Sequence, residues 1–158
     1  MSAKDSIEDF SNNLAHSRAA YLFAVRNLPN PSELNKGPIT ANGFRFERRS
    51  QVESMLIELG WAFFCRYESC LEAFLKRSQV ELSQKCTLSD WLSQNNVSIP
   101  TNLQEGLEIY RKIRNKLHHE DGASLDDDPE SEIHLMPDHM NNFYELFLWC
   151  GTQAKTKG

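Results

Sequence analysis

One stretch of the chain, residues 111–121, concentrates side chains that can perform acid–base chemistry. Within it, Arg114 and Asn115 are followed by His119, the fifth residue after the arginine. The three supply a permanent cation, an amide and a group that titrates near neutral pH within about two helical turns. Cleavage of a phosphodiester without a metal ion requires groups of these kinds. The sequence therefore indicates a candidate site for phosphodiester cleavage.

A helical wheel relates this stretch to the predicted core. With Tyr110 as the centre of the apolar face, Arg114 lies roughly 40° from that centre and His118 roughly 80°. Arg114 is thus predicted at the rim of the core, with polar residues beside it. The others lie further round the helix, at about 100° for Arg111, 140° for Asn115 and 180° for His119.

The same residue types also have a purely structural interpretation. An arginine at the rim of a core commonly pairs with a carboxylate, here one such as Glu68 or Glu72. His118 and His119 would then simply lie favourably near the negative end of the helix dipole. Residue types alone favour this interpretation, because an arginine followed by a histidine at this spacing occurs often by chance.

The elements that would position these residues are predicted from hydrophobic periodicity. Apolar residues recur at three- and four-residue steps through most of the chain, as in amphipathic α-helices. The pattern predicts an all-α bundle of four to five helices, without strands, in a single domain of residues 1–158. The predicted helices cover about residues 7–28, 52–75, 87–95, 101–121 and 137–150. The third begins at Thr87 or Ser89, the fourth is capped by Thr101 or Asn102, and Pro137 opens the last.

Two segments between these helices are predicted as loops. Residues 29–43 contain Pro31, Gly37, Pro38 and Gly43, which interrupt helices, and form an unusually long connection for a compact domain. Residues 120–136 are predicted as a solvated acidic loop. Gly122 at its start is a natural stop for the preceding helix.

The predicted core faces follow from the same periodicity. The longest helix has an apolar stripe that makes it the central helix of the bundle: Val52, Leu56, Leu59, Phe63, Tyr67, Cys70 and Phe74, widened by Met55, Leu71 and Leu75. The next helices bury Trp91 and Leu92, then Leu103, Leu107, Tyr110, Ile113 and Leu117. The last helix buries Met140, Phe143, Phe147 and Cys150.

The charge of the chain is unevenly distributed. Its 158 residues carry a net charge of −5, and seven acids without a single Lys or Arg lie between Glu120 and Glu132. Those seven acids contribute −7, so the remainder of the chain carries +2. This mild remainder neither requires nor excludes a nucleic-acid partner.

Composition also predicts a compartment. The first residues are polar and acidic rather than basic and then apolar, so no signal peptide is expected. No apolar run approaches the roughly 20 residues that span a bilayer. The four cysteines show no C-x-x-C pair, and we expect a soluble cytoplasmic protein with reduced thiols and no membrane partner.

The segment Arg114-Asn115-Lys116-Leu117-His118-His119 resembles the R-x4-6-H signature of the HEPN superfamily, in which a polar residue, often asparagine, follows the arginine. The resemblance extends to its position at the end of a late helix in an all-helical chain. It also includes a long central helix with the run Tyr67-Glu68-x-x-Leu71-Glu72-x-x-Leu75.

This resemblance implies a metal-independent endoribonuclease that acts as a homodimer, with two motifs meeting across the interface. Many members are toxins or phage-defence effectors, and others are non-catalytic modules. His119 would be the acid/base group, Arg114 the cation that stabilises the transition state, and Asn115 an orienting or phosphate-contacting residue. The alternative is a non-catalytic HEPN-like module that binds RNA, a nucleotide or a protein partner such as an antitoxin.

Two features of the motif leave alternatives open. The doubled histidine means that Arg111 and His118 also satisfy the signature, although Asn115 favours the register that uses His119. Asp121 stands where the subgroup paired with nucleotidyltransferase antitoxins commonly has tyrosine, so that pairing is not expected.

Basic residues near the motif and near the start of the central helix are candidates for contact with RNA: Lys112, Lys116, Arg48 and Arg49. No histidine spacing typical of a metal site and no glycine-rich phosphate loop is present, so no metal or other cofactor is expected.

Overall fold

The computed structural model describes residues 3–78, 80, 82, 87–118 and 135–157, with the backbone alone for residues 3–5, 115–118 and 155–157. Within these residues the fold is an all-α bundle, as predicted. Its five α-helices are α1 (Ala3–Arg26), α2 (Arg49–Arg77), α3 (Leu88–Gln94), α4 (Thr101–His118) and α5 (Pro137–Lys157). No helix among the described residues is long and apolar enough to cross a membrane.

The connection between α1 and α2 is more ordered than the sequence suggested. The predicted loop 29–43 contains a 3-10 helix, Pro31–Lys36, and the strand β1, Ile39–Ala41, which pairs with β2, Phe44–Phe46. The expectation of no strands was therefore wrong. The turn between the strands is Asn42-Gly43, and both residues have positive φ, 52° and 80°. Such a dipeptide is a strong hairpin signal.

The hairpin is held on the bundle by a small core of its own. Phe46 from β2 and Leu34 from the 3-10 helix bury against Val52 near the start of α2. Three-residue strands are too short to be stable alone, so this packing on α2 is what maintains them.

Side-chain caps define where two of the helices begin. At α3, Thr87 Oγ1 accepts a hydrogen bond from the Asp90 backbone N–H (3.3 Å), and Asp90 Oδ2 accepts one from the Thr87 N–H (3.0 Å). This reciprocal pair is a capping box. At α2, Gln51 Oε1 accepts from the backbone N–H groups of Glu47 and Arg48. Of the two predicted starts for α3, the structure uses Thr87, and α5 begins at Pro137 as predicted.

The main core is centred on Phe64 of α2. Its ring contacts Tyr110 of α4 at 6.1 Å between centroids, and Phe143 and Phe147 of α5 at 5.0 and 6.2 Å. Phe64 is completely buried. One side chain therefore joins three helices of the bundle.

The buried face of α2 differs in part from the predicted stripe. Leu71 is fully buried as predicted, but Phe63 and Cys70 are half-exposed, whereas Phe64, which was not predicted, is fully buried. The reason is that α2 packs against both α1 and α5, so its buried surface covers more than one stripe. The other predicted faces agree better: Leu103, Tyr110 and Ile113 of α4 and all four predicted residues of α5 are buried.

A close approach of the chain to α2 occurs at Gly60. The backbone of Leu135, just before α5, lies where a Cβ on Gly60 would be. Only glycine allows this contact, because any side chain would collide with the Leu135 carbonyl group. The predicted acidic loop 120–136 lies outside the described residues except for Leu135 and Met136, and so does Gly122.

Replacing Phe64 by alanine should strongly destabilise the protein. The substitution removes a fully buried ring from the centre of the core, and we expect a loss of about 3–5 kcal/mol in the free energy of unfolding, measured by urea denaturation. Phe23→Ala is the matched control, because Phe23 is 67% exposed on α1. The control should change stability by less than about 0.5 kcal/mol. Equal losses in both variants would contradict the core described here.

Tyr21 and Tyr67 place hydroxyl groups in the core without a hydrogen-bond partner among the described residues. Burial raises the pKa of Tyr21 from 10.0 to about 12. The pKa of Tyr67 is also raised, first by burial and then by its proximity to Tyr21. Both side chains are therefore protonated in the folded protein at pH values where the unfolded chain ionises.

Tyr21→Phe should change the alkaline stability of the protein. Because the folded pKa exceeds the unfolded one, the stability that Tyr21 contributes is lost as pH rises from 10.0 through about 12. The variant should lose less stability over this range. It should also be at least as stable at neutral pH, since it removes an unpaired buried hydroxyl. Urea denaturation across the pH range measures both effects, and an unchanged slope would contradict the assignment.

Candidate functional site

Arg114 lies on α4 at the rim of the core, as the helical wheel predicts. Its side chain is 23% exposed. The residue one turn before it, Tyr110, is buried and packs on Phe64. The arginine is therefore held at the edge of the bundle by an aromatic contact directly beneath it.

The guanidinium of Arg114 contacts two carboxylates of α2. Arg114 Nη1 lies 3.3 Å from Glu68 Oε1 and 3.5 Å from Glu72 Oε1. The predicted structural pairing is confirmed with both acids. The two contacts differ in environment, because the Glu68 side chain is 13% exposed and the Glu72 side chain 48%. Glu68 is thus a semi-buried partner, and Glu72 a solvated one.

The environment of Glu68 disfavours its ionised form. Burial raises the pKa of Glu68, and the negative charge of Glu72 acts in the same direction. The positive charge of Arg114 and a hydrogen bond from the Tyr110 hydroxyl oppose this rise. Glu68 Oε2 is buried and has no hydrogen-bond partner among the described residues. We call Arg114, Glu68 and Glu72 the Arg114 cluster. It depends on the arginine to keep the Glu68 carboxylate ionised.

Tyr110 is a polar member of this cluster that the sequence did not reveal. It was predicted as the centre of the apolar face, and its ring does lie in the core. Burial raises the pKa of its hydroxyl, and the adjacent Glu68 carboxylate raises it further. Tyr110 therefore remains a hydrogen-bond donor at any physiological pH. Its tip is directed at the acid that pairs with Arg114.

The other motif residues are described less completely. The backbone of α4 is helical through His118, so Asn115 and His118 follow Arg114 on a continuous helix. Because residues four apart lie on the same face, His118 is one turn beyond Arg114. The side chains of Asn115 and His118 are not described, and His119 lies outside the described residues.

The predicted basic residues fall into two separate regions. Arg111 and Lys112 are exposed on α4 within one turn of Arg114, whereas the side chain of Lys116 is not described. Arg48 and Arg49 lie at the start of α2, about 28 Å along the helix from Glu68 at 1.5 Å per residue. The structure does not bring them together with Arg114. Arg49 instead pairs with Glu53 at 3.4 Å.

Comparisons of the chain with protein-family models, with curated proteins and with solved structures found no match. The described residues also contain no group of three or more His, Cys, Asp or Glu side chains arranged to hold a metal ion. A function for the site must therefore be inferred from its own geometry and from the sequence motif.

Arg114→Ala should destabilise the protein at neutral pH because it leaves Glu68 buried without its cation. We expect a loss of about 2 kcal/mol in the free energy of unfolding. Glu72→Gln is the control, and it should lose less than about 1 kcal/mol, since Glu72 is half-exposed.

The difference in the free energy of unfolding between Arg114→Ala and the parent protein should become smaller as pH falls. The folded pKa of Glu68 lies above its ordinary value of 4.5, and without Arg114 it rises further. The folded variant therefore takes up this proton at a higher pH than the unfolded chain, so acidification towards 4.5 recovers stability. Denaturation at several pH values measures this recovery, and a pH-independent difference would show that Glu68 is not the group left unpaired.

Proposed function

We propose that the protein is a cytoplasmic, metal-independent endoribonuclease of the HEPN type, acting as a homodimer in a toxin–antitoxin or phage-defence role. The observation that carries the proposal is the placement of Arg114. It lies semi-exposed at the rim of the bundle, on a helix that continues to His118, within the motif that resembles the HEPN signature. A cation that is followed by histidines in the sequence of the same helix end suits phosphodiester cleavage.

In the proposed reaction the RNA supplies its own nucleophile. A histidine removes the proton from a 2′-hydroxyl group, and the oxygen forms a bond to the adjacent phosphorus. The bond from phosphorus to the 5′-oxygen breaks, and an acid returns a proton to that oxygen. Arg114 stabilises the additional negative charge on the phosphorane. The products are a 2′,3′-cyclic phosphate and a 5′-hydroxyl, and DNA is not a substrate.

The histidine is assigned by the motif. The resemblance favours His119, with Asn115 orienting it or contacting phosphate. The helix through residue 118 favours His118 as the neighbour of Arg114. In a homodimer, two motifs at one interface would provide a base and an acid together.

The ion pairs of Arg114 imply how a phosphate reaches it. Glu72 is the partner that a phosphate displaces, because it is half-exposed and its contact is the longer of the two. Glu68 stays in place, since it is held in the core beside Tyr110. Glu68 then holds the guanidinium through Nη1, and the N–H groups that Glu68 does not use bind the substrate.

A non-catalytic HEPN-like module that binds RNA, a nucleotide or a protein partner is the second candidate. The observation favouring it is that Arg114 already contacts two carboxylates, which neutralise its charge. In such a module the cluster only joins α2 to α4. Binding would then occur without turnover and would persist in His119→Ala.

Purified protein should cleave single-stranded RNA in EDTA and leave DNA of the same sequence intact. Arg114→Ala should lower the rate at least about 100-fold, because it removes the transition-state cation. Of His118→Ala and His119→Ala, the variant that removes the acid/base group should lose about 100-fold or more, and the other should remain near the parent rate. Gel analysis of the products, with identification of the cyclic phosphate, measures these outcomes.

Glu72→Gln is the matched control, because it perturbs the same cluster without removing the proposed cation. It should cleave at least as fast as the parent protein, since a competitor for Arg114 is removed. Loss of cleavage on chelation, or full activity in Arg114→Ala, would refute the proposed mechanism.

A further inference from the structure

A second concave surface lies between α1 and α2, away from the Arg114 cluster. It is a groove of about 730 Å³, and we call it the α1–α2 groove. Small residues, including Ala20, Ala62 and Ala73, leave space between the two helices. The polar residues that matter for its chemistry are His16 from α1, and Arg66 and Arg77 from α2.

The groove carries basic side chains without compensating acids. None of its lining residues is an Asp or a Glu. Arg66 and Arg77 are exposed, and among the described residues neither forms an ion pair. By contrast, two of the exposed arginines near the start of α2 are paired, Arg45 with Glu47 and Arg49 with Glu53. Unpaired cations in a concave surface favour an anionic ligand.

The sequence explains why these arginines are unpaired. The helical neighbours of Arg66 at three and four residues are Ala62, Phe63, Ser69 and Cys70, none of which is acidic. The preceding neighbours of Arg77 are Ala73 and Phe74. Within α2, therefore, neither arginine has an acid at helical spacing.

The basic side chains form a row along the groove. Arg66 and Arg77 are eleven residues apart, which places them on nearly the same side of α2, about 16 Å apart along its axis. The helices are antiparallel, since Phe10 stacks on Phe74 and Tyr21 packs on Phe63. His16 of α1 therefore lies across from the part of α2 near Arg66. A row of this length fits a ligand with repeated negative charges.

We propose that the α1–α2 groove binds the phosphate backbone of a single-stranded RNA. The arginines form a single row, which matches the one backbone of a single strand rather than the two backbones of a duplex. Asn13 and Ser69 offer further donors, and the half-exposed ring of Phe63 offers a surface for a base. The inference rests on the proposed ribonuclease function and adds to it a substrate-binding surface.

The groove and the Arg114 cluster lie on opposite flanks of α2. Glu68 is about 200° from Arg66 around the helix axis, so α2 itself separates the two surfaces. A strand in the groove is therefore held at a distance from the bond that is cleaved. The groove makes a long RNA a better ligand than a dinucleotide, without contributing to cleavage chemistry.

The test is the affinity for a fluorescently labelled 2′-O-methyl single-stranded RNA, which cannot be cleaved by 2′-hydroxyl attack. In Arg66→Gln/Arg77→Gln, anisotropy titrations should show binding about tenfold weaker than in the parent protein. The slope of log affinity against log salt should fall by about 1.4, the value for two lost phosphate contacts on a single strand. Arg26→Gln/Lys36→Gln is the control, with the same change of charge at two exposed residues outside the groove. It should bind nearly as the parent does.

Alkylation of cysteines locates the strand directly. Cys70 lines the groove, whereas Cys65 is exposed elsewhere on α2. Bound RNA should slow alkylation of Cys70 more than that of Cys65, as measured by mass spectrometry of the two peptides. Protection of Cys65 alone would place the strand elsewhere and overturn the proposal.

Three further results would overturn it: no binding of the RNA by the parent protein, unchanged affinity in Arg66→Gln/Arg77→Gln, or displacement of the RNA by polyglutamate of equal charge at equal concentration. The last result would identify an acidic protein segment as the ligand.

Failure of the proposed ribonuclease function is distinguishable from failure of the groove proposal. It would appear as RNA binding and Cys70 protection without cleavage of unmodified RNA. A dinucleotide, too short to occupy both surfaces, should be cleaved equally by the parent and by Arg66→Gln/Arg77→Gln.

Discussion

The aromatic contacts of Phe64, Tyr110 and Phe147 place α4 beside α2 and α5, and the Arg114–Glu68 ion pair lies one turn beyond them. Glu68 follows Phe64 by one helical turn, and Arg114 follows Tyr110 by one turn. Because both helices advance in the same direction from the aromatic contact, the next residues to meet are the acid and the arginine, at 3.3 Å. The ion pair is thus positioned by hydrophobic packing beneath it. A semi-buried ion pair stabilises little by itself, so the packing of Tyr110 on Phe147 and Phe64, rather than charge, positions α4.

The composition of the cluster gives Arg114 two roles with opposing requirements. As a structural residue it must pair with the Glu68 carboxylate, whose ionised form is disfavoured by burial. As a proposed ligand for phosphate it must keep donors free. A guanidinium can do both because it has five N–H donors in a planar fork, whereas an ammonium group has a single charged centre. Lysine at this position would keep the charge and lose the additional N–H donors of the planar guanidinium.

Much of the fold follows from local sequence signals, whereas the exact faces depend on tertiary packing. The starts at Thr87 and Pro137 were predictable, since a hydroxyl cap and an N-terminal proline act within one turn. The position of Arg114 at the rim of the core was also predictable, because a helical wheel requires only that the helix is regular. Phe64 was missed because periodicity assumes one buried stripe, and α2 has neighbours on two sides.

The hairpin and the α1–α2 groove illustrate two further limits. Asn42-Gly43 was a usable signal, but the surrounding prolines and glycines favoured a loop interpretation, and the burial of Phe46 that stabilises the strands is not visible in sequence. In the groove, Arg66 and Arg77 share a face of α2 that could be read from their spacing. Its concavity arises only when α1 packs alongside.

The close approach at Gly60 constrains how this sequence can vary. Residue 60 has no side chain to conserve, yet any replacement would push Leu135 from α2 and with it the entry to α5. The chain that enters α5 is therefore held by the fully buried Leu135, in a position that only a glycine at residue 60 leaves open. Tolerance to substitution should thus be lowest at a residue without a side chain, seventy-five positions before the residue that it accommodates.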